Sequence, residues 1–188
     1  MARRIVITGG PGTGKTALVR ELEDQGYLCF HEIIREMTLE AKKGQVLAEP
    51  LVNPLAFVTD PYAFNRKILT GRIRQYHHAS ELQEPVVFYD RGIPDVLAYM
   101  DYFGQGYNEE FTRPCQELRY DAAILLPPWE EIYTRDEARL ESFQQACEIH
   151  EYLARSYAQC GYQVQTLPSG PIKARADNLL EMIQQWYG

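Results

Sequence analysis

Gly9-Gly-Pro-Gly-Thr-Gly-Lys-Thr16 matches the pattern G-x-x-x-x-G-K-[ST] at every fixed position. Glycines in this spacing let the backbone curl so that successive N–H groups face inward, a concavity suited to phosphate oxygens. Lys15 is placed to reach β- and γ-phosphates, and the Thr16 hydroxyl to coordinate Mg²⁺. Gly9, Gly10, Pro11, Gly12, Thr13, Gly14, Lys15, Thr16 and Ala17 are therefore expected to line a nucleoside triphosphate site. The flanks agree. Arg3-Arg4-Ile5-Val6-Ile7-Thr8 is a short β-branched run, as a buried strand would be. Ala17 to Glu23 opens a helix with apolar positions at Leu18, Val19 and Leu22. That helix turns its positive end, about half an elementary charge, toward the loop.

A chain of 188 residues suits one domain, expected to span 1–188. Hydrophobic residues make up 45% and charged residues 24%, which is ordinary for a globular protein. The net charge of -7 argues against general nucleic-acid binding, which needs an excess of Lys and Arg. Cys29, Cys115, Cys147 and Cys160 show no C-x-x-C spacing and read as reduced thiols. No apolar run approaches the ~20 residues of a membrane span. A cytoplasmic protein without a membrane span is expected.

Strand and helix signals alternate along the chain, which points to an α/β fold with a mainly parallel sheet. Strands are predicted near 27–31, 85–89, 120–126 and 162–167, besides the first. Helices are predicted over 32–43, 61–80, 94–103, 107–118, from the charged stretch 130–141 to about 160, and 171–186. Residues 45–60, with Pro50 and Pro54, read as a loop.

Asp90 follows the third strand, where α/β sheets place ligand chemistry. An acid there can hold Mg²⁺ through water, or accept a proton from an attacking hydroxyl. It can also simply cap the next helix. Arg91 suits either an anionic acceptor or a structural ion pair. No Asn/Thr-Lys-x-Asp tetrapeptide is present, which sets aside a regulatory GTPase. Asp101-Tyr-Phe-Gly104 matches D-x-x-G only by letters, because it closes a predicted helix. The third strand ends in Asp-Arg rather than Asp-Glu, unlike a AAA+ motor.

The loop Gly9–Thr16, Glu32 with Arg35 after the second strand, and Asp90-Arg91-Gly92 followed by Asp95 and Tyr99 resemble the NadR-type, AAA-like P-loop NTPases. These are similar to the nicotinamide riboside kinase domain of NadR. The resemblance covers nearly the whole chain and implies a three-layer, nucleoside-kinase-like fold with a five-stranded parallel sheet ordered 2-3-1-4-5. It implies ATP and Mg²⁺, with Thr16 and Asp90 toward the metal and Lys15 and Asp90 in catalysis. It also implies an acceptor pocket at the second and third strand ends, with Glu32, Arg35 and Arg91 toward the substrate. A lid is implied near 129–140, where Arg135 and Arg139, one turn apart, would close over the transferring phosphoryl group. Arg135 is equally spaced for an i,i+4 pair with Glu131. Ser169-Gly170-Pro171 stands where related kinases brace the base.

Two functions fit these residues. One is an ATP-dependent phosphotransferase with a small-molecule hydroxyl acceptor. The other is a regulatory NTP switch acting on a protein or an anionic lipid. Arg66, Lys67, Arg72, Arg74, His77 and His78 on the helix from Pro61 distinguish them, since an exposed basic face favours the switch. A polar pocket beside Asp90, walled by Glu32 and Arg35, favours the kinase. Phe57, Tyr62, Phe64, Tyr89, Tyr99 and Tyr102 are read as core residues first, and as stacking surfaces for a planar acceptor second.

Overall fold

The computed structural model describes residues 2–34, 60–133 and 142–188. Its centre is β1 (Arg3–Gly9), whose Ile5, Val6 and Ile7 are fully buried. Such a run, apolar on both faces, is what a central parallel strand needs when helices cover both sides of the sheet. Around it lie β2 (Leu28–Phe30), β3 (Val86–Asp90), β4 (Ala122–Leu126) and β5 (Gln165–Thr166). The sheet is five-stranded, parallel throughout, with order β2-β3-β1-β4-β5. This is the order that the resemblance implied. Ile7 sits opposite Asp90, the last residue of β3, while β1 and β4 run two residues further and end together at Gly9 and Leu126.

The helices are α1 (Lys15–Asp24), α2 (Pro61–His78), α3 (Pro94–Tyr102), α4 (Glu109–Glu117), α5 (Phe143–Gln159) and α6 (Ile172–Tyr187). The period of two along a strand divides the core. Ile5, Ile7 and Phe88 face α1 and α6, meeting Leu18, Leu22, Leu179 and Ile183. Val6, Val87 and Tyr89 face the other side, with Ile68, Met100, Phe111 and Tyr157 from α2 to α5. Local signals set the helix starts. Asp60 accepts from the Ala63 N–H at 2.9 Å ahead of Pro61. Ser142 and Gln145 form a reciprocal capping box on α5.

Several boundaries differ from expectation. α1 begins at Lys15, two positions before the predicted Ala17, because the loop's last glycine is itself the N-cap. β3 extends to include Asp90. β4 starts only at Ala122, since the Asp121 carboxylate turns back to accept from the Arg4 N–H at 2.8 Å. β5 shrinks to Gln165–Thr166, the two residues that pair with Ile124 and Leu125 of β4. The helix expected over 32–43 is described only at Ile33 and Ile34, and the loop 45–60 only at Asp60. Past β4, Glu130–Ile132 form one 3₁₀ turn, and 134–141 lie outside the described residues. Among the described residues no helix is long and apolar enough to cross a membrane.

Candidate nucleotide and acceptor site

The loop joining β1 to α1 follows the backbone path its glycines permit. Gly12 and Gly14 take φ of 72° and 81°, a left-handed conformation that disfavours side chains. A Cβ on Gly12 would also lie 2.5 Å from the Tyr133 ring. Lys15 reaches back across the loop, its Nζ donating to the carbonyls of Gly9 at 2.7 Å and Gly10 at 2.8 Å. Burial, and next the Arg91 cation, lower its pKa to about 8. Among the described residues its charge is held by carbonyl dipoles and by carboxylates that do not pair with it directly.

Asp90 ends β3 with 6% of its surface exposed. Its Oδ1 is buried and has no hydrogen-bond partner among the described residues. It does not cap α3, whose N-cap is Ile93. Burial, reinforced by the Glu32 carboxylate, pushes the Asp90 carboxyl above its usual range. An orphaned carboxylate oxygen fits one half of a Mg²⁺ site, because that ion is commonly held by one or two carboxylates and the substrate's phosphates. Among the described residues no cluster of His, Cys, Asp and Glu offers a protein-only metal cage.

Arg91 turns the chain sharply, with φ of 73°. Its Nε donates to Glu32 Oε1 at 2.7 Å and its Nη1 to the Gly9 carbonyl at 3.3 Å. Its guanidinium carbon lies 5.2 Å from the Tyr99 ring centroid. Glu32, just past β2, is thus paired with Arg91 across the site. Burial tends to raise the Glu32 carboxyl, but Arg91, with Lys15 and Arg72, outweighs it and holds the group below its usual range. The two carboxylates that converge on Lys15 are therefore driven apart electrostatically. Glu32 stays ionised and partly exposed, while Asp90 is buried and shifted toward its neutral form.

Asp95 holds this turn from beneath. It is fully buried and accepts from Thr8 Oγ1 at 2.6 Å, Tyr157 Oη at 2.6 Å and the Gly92 N–H at 2.9 Å. Arg91 Nη1 lies 3.4 Å from its Oδ1. Arg72, buried in α2, donates to the Gly92 carbonyl at 2.6 Å. Burial tends to raise the Asp95 carboxyl, yet Arg72, Arg91 and the hydroxyl donors bring it below its usual range.

Arg175 on α6 approaches from the other side of the loop. Only 2% exposed, it donates from Nη1 to the Thr13 carbonyl at 3.0 Å. Its Nε and Nη2 are buried without partners among the described residues, and its guanidinium carbon lies 6.0 Å from the Trp129 ring centroid. Burial lowers its pKa.

The sequence reading missed Thr8, Tyr157 and Arg175 as parts of the site, and placed Trp129 and Tyr133 only within the lid expected near 129–140. Tyr157 and Arg175 sit inside helices with nothing local to single them out. Asp95 was visible only as part of a motif. Of the expected residues, Gly9 to Ala17, Glu32, Asp90 and Arg91 come together here, whereas Arg35, Arg135 and Arg139 lie outside the described residues, as does Phe57. Arg66, Lys67, Arg74, His77 and His78 are exposed, while Arg72 is buried. Tyr89 belongs to the core.

A family described as an AAA domain matches residues 4–175. The chain belongs to that AAA domain family. No curated protein matches it. Its fold is similar to deoxyadenosine kinase from M. mycoides, with TM-score 0.63 and 16% identity, covering 97% of this chain and 99% of that one. Thymidylate kinase from Candida albicans gives TM-score 0.69 and 16% identity, over 98% and 92% of the two chains. NadR in complex with NR gives TM-score 0.68 and 19% identity, covering 98% of this chain and 51% of that longer one. At these identities the likeness is one of fold, and it is the nucleoside-kinase-like P-loop fold.

Proposed function

We propose that this AAA domain protein is an ATP-dependent phosphotransferase that moves the γ-phosphoryl group to a hydroxyl of a small, nucleoside-like acceptor. The observation that carries this reading is the pairing of Glu32 with Arg91 at 2.7 Å beside Lys15 and Asp90. An ionised carboxylate facing the phosphate loop supplies the base that a hydroxyl acceptor needs.

The loop N–H groups and the α1 terminus would bind the phosphates, with Lys15 moving from the Gly9 and Gly10 carbonyls onto the β/γ-phosphates. Thr16 and Asp90 would hold Mg²⁺, which when bound spreads the phosphate charge during transfer. Glu32 would accept the proton of the acceptor hydroxyl, being the carboxylate kept ionised and reachable. Asp90, for which the sequence left both roles open, is then the metal-side acid. Arg91 would orient Glu32, and Arg175 with Trp129 would brace the nucleotide beyond the loop. Arg135 and Arg139 keep their proposed place over the transferring group, and Arg35 its place at the acceptor. One cytoplasmic domain is the setting we propose.

The exposed basic face of α2 favours the second reading, an NTP switch acting on a protein or anionic lipid. Part of that face is already engaged, since Arg66 lies 3.8 Å from Glu110. ADP release from Mg-ATP, with and without pooled nucleosides, separates the two. A kinase gives acceptor-stimulated release that Glu32→Gln loses. Slow release indifferent to every acceptor supports the switch.

A further inference from the structure

We propose that Arg175 is a positioning residue for the polyphosphate, acting on it through the Thr13–Gly14 peptide of the phosphate loop and not by touching it. The inference rests on the nucleotide reading above and gives the brace assigned there to Arg175 a mechanism.

One hydrogen bond sets the geometry. Arg175 Nη1 donates to the Thr13 carbonyl at 3.0 Å, from a side chain only 2% exposed. In a trans peptide the carbonyl and the following N–H point in opposite directions. With the Thr13 carbonyl turned toward Arg175, the Gly14 N–H points away from the guanidinium. Loops of this kind offer such N–H groups to phosphate oxygens. A cation on the carbonyl also polarises the peptide, which makes its N–H a stronger donor. Gly14 is constrained by the same contact. Its φ is 81°, and a Cβ there would lie 2.9 Å from Arg175 Nη1. The guanidinium thus fills the space that a side chain at position 14 would need. Behind it, Leu179 and Ile183 of α6 share a core with Leu18 and Leu22 of α1, so the brace and the loop are held by one packed unit.

The charge of Arg175 is not neutralised where it lies. Its Nε and Nη2 are buried without partners among the described residues. These two N–H groups form the side of the fork that holds a carboxylate in a bidentate pair, and no carboxylate of the described residues takes that place. The aromatic neighbour is Trp129, whose ring centroid lies 6.0 Å from the guanidinium carbon. The other two cations at the loop are better accompanied, since Glu32, Asp90 and Asp95 act on both Lys15 and Arg91. A buried cation without a counter-ion is costly until an anion arrives near it. On this reading the polyphosphate is that anion, and the Thr13–Gly14 peptide lies between the two.

The test is titration calorimetry of the whole protein with Mg-ATP, and competition against it by Mg-tripolyphosphate, which carries the phosphates without the base. Arg175→Gln keeps a donor and removes the charge, whereas Arg175→Lys keeps the charge. Arg175→Gln should weaken ATP and tripolyphosphate by the same factor, about 10-fold, the scale of one hydrogen bond to a charged group. Arg175→Lys should recover most of that loss. A loss for ATP with tripolyphosphate unchanged would put Arg175 at the base and overturn the proposal. Equal losses in Arg175→Gln and Arg175→Lys, no loss in either, or tripolyphosphate that does not compete in the wild type would overturn it too. All of these leave the nucleotide reading standing, whereas wild-type protein that binds no Mg-ATP removes that reading and this inference with it. Should Arg175→Gln fail to fold, Arg175→Met supplies the uncharged variant.

Discussion

Lys15 carries its charge under strain, its proton affinity lowered to about 8 by burial and by Arg91. A lysine so placed is fully charged below that value and loses its proton as pH rises through it. Phosphates arriving beside it restore the proton, so binding takes up a proton at high pH. Titration calorimetry across buffers should show proton uptake on ATP binding above about pH 8, with affinity falling up to ~10-fold per unit. Binding that is flat with pH up to 10 would mean that Lys15 is not at the phosphates. The carboxylates divide in the opposite sense. Glu32 is held below its usual range by Arg91, so the part of the acid limb that Glu32→Gln removes should lie below the ordinary Glu value of about 4, whereas Asp90 is shifted the other way. Glu32→Gln should lower kcat by about 10²-fold or more and leave ATP affinity within a few-fold, as loss of a general base does. If it weakened ATP binding instead, Glu32 would belong to the nucleotide rather than the acceptor.

The Asp90–Asp95 turn and the helix beneath it behave as one element. Tyr157 on α5 and Thr8 on β1 both donate to Asp95, locking Arg91 into its left-handed turn. Tyr157→Phe removes a buried hydrogen bond to a charged group, a loss of about 1.5–3 kcal/mol. In a protein of this size, that lowers Tm by roughly 3–12 °C, measurable by calorimetry. Asp95→Asn should cost more, because Arg72 and Arg91 would then face a neutral partner in a buried site. A Tm equal to wild type in Tyr157→Phe would show that this hydroxyl does not hold the turn. Gly12→Ala should cost about 1–2 kcal/mol from its left-handed backbone alone and should displace Tyr133 from the loop. Chemical unfolding with ATP titration reads both effects. The sequence revealed these elements unevenly. The phosphate loop is contiguous, and each of its residues is constrained by local backbone geometry, so eight letters suffice to place it. Asp95 could be noticed, but its donors come from β1 and α5, and only folding brings them within hydrogen-bonding distance.

At the scale of the whole molecule, alternating strands and helices were enough to expect an α/β protein, because a strand apolar on both faces needs helices above and below it. The order 2-3-1-4-5 came from the family resemblance, since hydrophobic pattern alone does not say which strands are neighbours. Arg175 shows the limit most clearly. Nothing near it in the sequence distinguishes it from a surface arginine, yet the sheet order carries α6 against the loop and buries it beside Thr13. The assembled site places the Glu32 carboxylate, the phosphate loop and the buried Asp90 together at the carboxyl ends of the strands. The central claim is that phosphate leaves ATP for an organic hydroxyl and not for water. The most direct measurement is to follow the label from γ-labelled Mg-ATP in the presence of a nucleoside panel, separating organic from inorganic phosphate. The account predicts label on an organic phosphate, lost in both Glu32→Gln and Asp90→Asn. Label appearing only as inorganic phosphate, at a rate no acceptor changes, would contradict it.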